Sequence, residues 1–202
     1  LFCWQGAGFW CRLLDMGIVT KRGDDGRTDL MGGGRVSKAD PRLEALGVVD
    51  VLNCQIGMSR ALTSCLGSSC GQVAREIHQV QLDLMRISGE LACGEGGGQP
   101  VPMTSAEHVA RIDKRIRALE EGIVLPRSFI VPGACSASAA MDMARAISRR
   151  LERLVVGLAE QGAYRNDQGL IYLNRLSDYL FLLARHIEKC EGVAFCSEEG
   201  SR

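Results

Sequence analysis

Residues 70–92, CGQVAREIHQVQLDLMRISGELA, place Val73, Ile77, Val80, Leu84, Ile87 and Leu91 at alternating steps of four and three. That spacing gathers the apolar groups on one side of a helix, so the stretch predicts a helix buried along a single stripe. Glycines at 94 and 96–98 end it. Upstream, Pro41 after Asp40 reads as a helix start, because proline at the first helical position loses no needed N–H and aspartate before it caps the exposed amides. A first helix over about 41–64 follows. Downstream, Thr104 with Glu107 reads as a capping box, and Val109, Ile112, Ile116, Leu119 and Ile123 repeat the step until Pro126, giving a third helix over about 105–122. After Val131-Pro132-Gly133 a fourth helix is expected over 136–161, and Asn166 or Asp167 caps a fifth over about 168–192. Five helices with short connections predict an all-α, antiparallel five-helix bundle. No β-alternation of convincing length appears, and 18–20 is at most a short extended piece.

The chain has 202 residues with 46% hydrophobic and 24% charged, which supplies one core without a membrane span. Twenty-four Lys+Arg balance twenty-four Asp+Glu, so no bulk field recruits nucleic acid or an anionic membrane, and any anion site is local. Nine cysteines in irregular spacing, with no C-x-x-C pair, exclude a disulfide framework and read as small buried thiols of a reducing compartment. Residues 1–15, LFCWQGAGFWCRLLD, hold both tryptophans and fit neither a secretory signal nor a transit peptide, so they are expected to be an extension ahead of a start at Met16. The expected domain is 16–192, with 193–202 as a tail.

Two polar constellations exceed what a plain bundle needs. Residues 20–38, TKRGDDGRTDLMGGGRVSK, put glycines at 23, 26 and 32–34 among Lys21, Arg22, Arg35 and Lys38. Glycines let backbone N–H groups converge on phosphate oxygens, and the cations add charge-assisted hydrogen bonds, although a flexible polar leader would read the same way. The segment is neither a Walker P-loop nor an EF-hand loop. The second constellation is Arg145, Arg149, Arg150, Glu152 and Arg153 on the fourth helix, where Arg145 and Arg149 share a face with Glu152 or Arg153 while Met143 and Ala146 are expected to point elsewhere. A solvated, salt-bridged surface is the plain alternative. Asn174, Arg175 and Asp178 on the fifth helix offer polar groups that can face this set across the bundle.

The segments TKRGDDGRTDLMGGGRVSK, DPRLEALGVVDVLN, SFIVPG, ARAISRRLER and YLNRLSDYLFLLAR, in this order, resemble the PduO-type ATP:cob(I)alamin adenosyltransferases over about residues 17–190. The resemblance implies a five-helix bundle forming a homotrimer, with ATP held between the N-terminal loop of one subunit and the fourth helix of its neighbour. It assigns the phosphate cradle to Thr20, Lys21, Gly23, Asp24, Gly26 and Lys38. Arg149 would hold the triphosphate, Glu152 and Asn174 would orient ATP and its Mg2+, and Arg145 would pair with Asp50 of the adjacent subunit. Phe129 would keep the lower axial position of cobalamin empty.

The reaction so implied transfers the 5′-deoxyadenosyl group of ATP to cob(I)alamin and releases triphosphate. A corrinoid reductase and a cobalamin-dependent acceptor enzyme are the further partners it implies, in the cytoplasm or alternatively the mitochondrial matrix. The competing reading is a trimeric carrier that binds ATP or adenosylcobalamin without making the product. Four positions depart from the family pattern: Val19 for tyrosine, Val51 for glutamate, and Ala134 and Asp142 for a glycine and a histidine.

Overall fold

The computed structural model describes residues 19, 21–31, 34–64, 71–93 and 102–195. The expected extension at 1–15, Thr20 and most of the tail lie outside the described residues. Five helices follow in chain order, α1 Pro41–Ser64, α2 Gly71–Ala92, α3 Ala106–Gly122, α4 Ser136–Glu160 and α5 Asp167–Glu191, each within a residue of its expected bounds. They are preceded by a small hairpin, β1 Arg27–Asp29 and β2 Arg35–Ser37, paired antiparallel with Thr28 opposite Val36.

The helices form because each carries an apolar stripe and defined ends. The α2 stripe from Val73 to Leu91 is buried throughout. Asp40 caps α1 by accepting the Arg42 N–H at 2.8 Å, and Asn166 caps α5 by accepting the Gln168 N–H at 3.1 Å. Gly192 closes α5 in the left-handed conformation, φ 69°, where a side chain would be strained. α1 packs on α2 and α4, α4 on α5, and α5 on α3. Leu52, Ile56, Ile77, Leu84, Met141, Leu151, Leu176 and Leu183 are fully enclosed, each contributing about 1.5–3 kcal/mol by leaving water.

α2 meets the far side of the bundle through polar side chains. Three carboxylates seven residues apart on α2 each accept a tyrosine hydroxyl: Glu76 from Tyr179 at 3.1 Å, Asp83 from Tyr172 at 2.9 Å and Glu90 from Tyr164 at 2.5 Å. Arg111 of α3 adds two 2.7 Å bonds to Asp83, and Arg115 pairs with Glu76 at 2.9 Å. Burial and the facing carboxylates push all three phenols above their ordinary range, so each stays a donor.

Three sequence expectations change. The α3 cap is Ser105, whose N–H donates to Nδ1 of His108 at 3.1 Å, because the buried Glu90 carboxylate takes the Thr104 N–H instead. The hairpin was not expected, since three-residue strands are too short to show alternation. Among the described cysteines none is buried: Cys54 is exposed, and Cys93, Cys135 and Cys190 are half-buried near helix ends.

The bundle has two distinct ends. Arg42, in the first turn of α1, donates to the carbonyls of Cys93 after α2 and Ala163 after α4, so the hairpin, the α2 terminus and the α4–α5 turn share one end. At the other, Lys189 near the end of α5 donates to the Gly122 carbonyl at 2.8 Å, which fixes the start of the loop joining α3 to α4.

Candidate functional site

The glycine-rich segment is a folded cradle built before β1 and closed after β2. Residues 21–26 turn tightly, with Asp24 N–H on the Lys21 carbonyl at 3.3 Å and Gly26 N–H on the Gly23 carbonyl at 3.2 Å. Gly26 (φ 75°) and Gly34 (φ 97°) take left-handed conformations that glycine adopts freely. Lys38 crosses this turn: its ammonium donates to the Gly23 carbonyl at 2.7 Å, and its N–H to the Gly26 carbonyl at 2.9 Å. A Cβ on residue 23 would stand 2.8 Å from that ammonium, so glycine is what lets Lys38 lie there.

Of the cations expected to face phosphate, Arg22 and Arg35 are spent on the loop itself. Arg22 pairs with Asp29 and Arg35 with Asp25, both at 2.8 Å, and Arg35 also donates to the Arg22 carbonyl. The Arg27 N–H, then the Arg35 guanidinium, hold the Asp25 carboxyl below its ordinary range. Lys21 and Lys38 remain as the exposed ammonium groups of the cradle.

On α4 the arginine face is real but mixed. Met143, Ala146, Arg149, Arg150, Arg153 and Val156 are all exposed, so Met143 and Ala146 share the outward surface, contrary to expectation. The inward stripe is Ala137, Ala140, Met141, Ala144, Ser148, Leu151, Val155 and Leu158, which leaves positions 143 and 146 outside. Arg150 pairs with Glu44 at 2.6 Å, whereas Arg149 and Arg153 make no hydrogen bond or ion pair to any described residue. The Nε of Arg145 is buried and unpartnered.

Glu152 and Asn174 are brought together, the Asn174 amide donating to Glu152 Oε1 at 2.8 Å across the α4–α5 seam. Arg175 donates to the Asn174 oxygen at 2.7 Å and pairs with Asp113 at 3.2 Å, which sets the orientation of that amide. The Glu152 carboxylate, steadied by the Asn174 amide, is the oxygen donor here that suits Mg2+ when phosphates supply the rest, while the Asn174 oxygen is taken by Arg175.

Other expected partners do not meet within one chain. Asp50 is exposed on α1 and has no ion pair with Arg145; the protein around it pushes its carboxyl up. Val51, Met58 and Met143, each 56% exposed, lie with Asp50 on the adjoining outer faces of α1 and α4. Phe129, 81% exposed, stands in the α3–α4 loop beside exposed Val124, Leu125 and Val131. Among the described residues no hydrogen bond or ion pair joins the hairpin to α4. The 25 residues of α4 run from the Phe129 end to the hairpin end, a span of about 37 Å.

The departures from pattern have structural consequences. Val19 and Val51 are exposed, and Ala134 is half-buried. Asp142 is buried and pairs with Arg185 at 2.5 Å, while Arg185 also meets Glu188 at 2.8 Å and stacks over Phe181 at 5.3 Å. An aspartate at 142 therefore forms a core ion cluster beneath the Phe129 end.

The bundle thus carries a glycine-rich cradle at one end, the unpaired Arg149 on its flank and an exposed apolar loop at the other end. The chain belongs to the cobalamin adenosyltransferase family, whose model matches residues 18–187. Similar proteins include the corrinoid adenosyltransferase PduO of Citrobacter freundii, 37% identical over 174 residues that cover 84% of this chain and 49% of the relative. The chain thus spans about half the length of that protein. A corrinoid adenosyltransferase of Bacillus subtilis is 34% identical over 187 residues, covering 92% of this chain and 94% of the relative. Among solved structures, a phenylalanine-to-alanine variant of a PduO-type ATP:corrinoid adenosyltransferase from Lactobacillus reuteri, complexed with cobalamin and ATP, superposes with a TM-score of 0.81 at 29% identity, covering 90% of this chain and 98% of that one. No helix among the described residues is long and apolar enough to cross a membrane.

Proposed function

We propose that the chain transfers the 5′-deoxyadenosyl group of ATP to the cobalt of cob(I)alamin. The Co(I) electron pair attacks C5′, the C5′–O bond breaks, and inorganic triphosphate leaves with that bonding pair, so cobalt ends formally as Co(III). The metal is the nucleophile and the protein needs none. Its tasks are to hold cobalt and C5′ in line and to stabilise charge on the leaving triphosphate.

The observation that carries the reading is the unpaired Arg149, one turn from the Glu152–Asn174 pair, on a family bundle that also bears the folded cradle. Lys21, Gly23, Asp24, Gly26 and Lys38, with Thr20, take the phosphates; Arg149 takes charge on the leaving group; Glu152 and Asn174 orient Mg–ATP. Phe129, with its apolar face in solvent, covers the lower side of the corrin so that water and the base stay off the cobalt.

The halves of this site sit at different places on one chain, and the outer α1–α4 surface offers Val51, Met58 and Met143 for burial. A homotrimer joins them, with the cradle of one chain against α4 of the next and Asp50 reaching the unpartnered Arg145. A reductase that supplies the electron to Co(II) and a cobalamin-dependent acceptor of the product complete the sequence, which we place in the cytoplasm. The test is incubation with ATP and chemically reduced cobalamin under anaerobic conditions: equimolar triphosphate and light-sensitive adenosylcobalamin support transfer, while nucleotide binding without triphosphate release identifies a carrier.

A further inference from the structure

Arg42 is buried, 8% exposed, in the first turn of α1. Its guanidinium donates to two carbonyls from distant parts of the chain, Cys93 at 2.7 Å and Ala163 at 3.1 Å. Both lie just beyond helix C-termini. Cys93 follows the last residue of α2, and Ala163 closes α4, its own N–H returning to the Leu158 carbonyl at 2.8 Å after the left-handed Gly162. Helix C-termini carry partial negative charge, so one planar cation with diverging N–H groups is well placed to hold a carbonyl beside each of two of them at once.

The same residue lies at the root of the cradle. β2 ends at Ser37, a turn follows in which Asp40 N–H meets the Ser37 carbonyl at 3.1 Å, and α1 begins at Pro41. The hairpin connection has a second attachment, because Met31 forms an isolated parallel bridge with Cys93. Arg42 grips the carbonyl of that same Cys93. The exit of the hairpin and the Met31 attachment are thus fastened to one another through a single side chain, which also ties them to the end of α4, the helix that carries Arg149 and Glu152.

We propose that Arg42 is a positioning residue for the nucleotide: it fixes the Gly23–Lys38 cradle on the bundle without touching ATP, so that it governs ATP affinity and leaves the cobalamin side alone. This inference rests on the cradle being the phosphate site. Arg42→Ala is expected to raise KM for ATP about tenfold, with kcat at saturating ATP and KM for preformed cob(I)alamin both within about twofold of the parent. Arg42→Lys keeps the charge but cannot span both carbonyls, and is expected to recover part of the loss, to about threefold. Amide exchange in Arg42→Lys should quicken at residues 21–38 and at 93, with α3 unchanged.

Binding of a fluorescent ATP analogue separates this inference from the activity it rests on. If the parent binds the analogue but transfers nothing, the activity reading fails while a tenfold weaker binding by Arg42→Ala still supports Arg42. A parent that does not bind the analogue overturns both. A folded Arg42→Ala with unchanged ATP affinity, or one in which kcat and both KM values worsen together, overturns the positioning role. Should Arg42→Ala fail to fold, Arg42→Lys decides: parental ATP affinity with parental exchange at 21–38 contradicts the proposal.

Discussion

Gly169 gives Tyr164 the space that a Cβ would occupy: a methyl at 169 would collide with the Tyr164 hydroxyl and approach Glu90 Oε2 at 3.3 Å. Tyr164 cannot swing clear, because its ring is buried and its hydroxyl is committed to Glu90, which also accepts the Asn166 amide at 3.0 Å. Gly169→Ala should therefore cost about 1–3 kcal/mol despite the better helix propensity of alanine. Urea unfolding at fixed protein concentration measures it, and a stabilised variant would show that this corner yields.

The core ion cluster makes a second, asymmetric expectation. Arg185 is 1% exposed and serves both Asp142 and Glu188. Arg185→Met would leave two buried carboxylates without their cation, a loss of about 3–5 kcal/mol, whereas Asp142→Asn leaves Arg185 paired with Glu188 and should cost about 1 kcal/mol. Equal losses in the two variants would mean that the cluster is not a charged unit.

Stability should fall on acidification through the histidines. Desolvation first, then the Arg86 charge, lowers the pKa of His108 below 6.5, and its Nδ1 must stay unprotonated to accept the Ser105 N–H. Burial lowers His186 as well. Below pH 6.5 the unfolded chain binds protons that the folded chain refuses, so unfolding free energy declines as pH drops from about 7 towards the folded-state values. His108→Gln should remove part of that slope in denaturant titrations run at several pH values.

Catalysis should divide between the two ends. Arg149→Ala removes an exposed group without a partner, so stability should change by less than about 0.5 kcal/mol. The rate with preformed cob(I)alamin should fall about two to three decades, roughly 3–4 kcal/mol of transition-state stabilisation. Phe129→Ala should instead impair adenosylation that starts from cob(II)alamin and recover much of its activity when cob(I)alamin is supplied. Equal failure of both variants with cob(I)alamin would contradict the division.

Much of this architecture is legible in the sequence because helices advertise their buried face. The stripe from Val73 to Leu91 is enough to place α2, and Asp40-Pro41 to start α1. The cap at Ser105 was hidden because Glu90, fourteen residues before Thr104 in sequence, competes for its N–H only once the chain is folded. The seven-residue spacing of Glu76, Asp83 and Glu90 signals that they share one side of α2, but nothing local shows tyrosines arriving from another element. The role of Arg42 is hidden for the same reason: both its partners are backbone carbonyls, which carry no residue signature.

In the proposed assembly one working site is built from two chains, with Lys38 and Gly23 of the cradle facing Arg149 of a neighbour. Lys38→Ala and Arg149→Ala, each nearly inactive alone, can be unfolded together and refolded as an equal mixture, then assayed for adenosylcobalamin formation from ATP and cob(I)alamin. In randomly mixed trimers about one interface in four joins an intact cradle to an intact arginine, so the mixture should regain about a quarter of parental activity. A mixture no more active than the average of the two variants would place the cradle and Arg149 of each site on the same chain, or in no common site, and contradict the two-chain assembly.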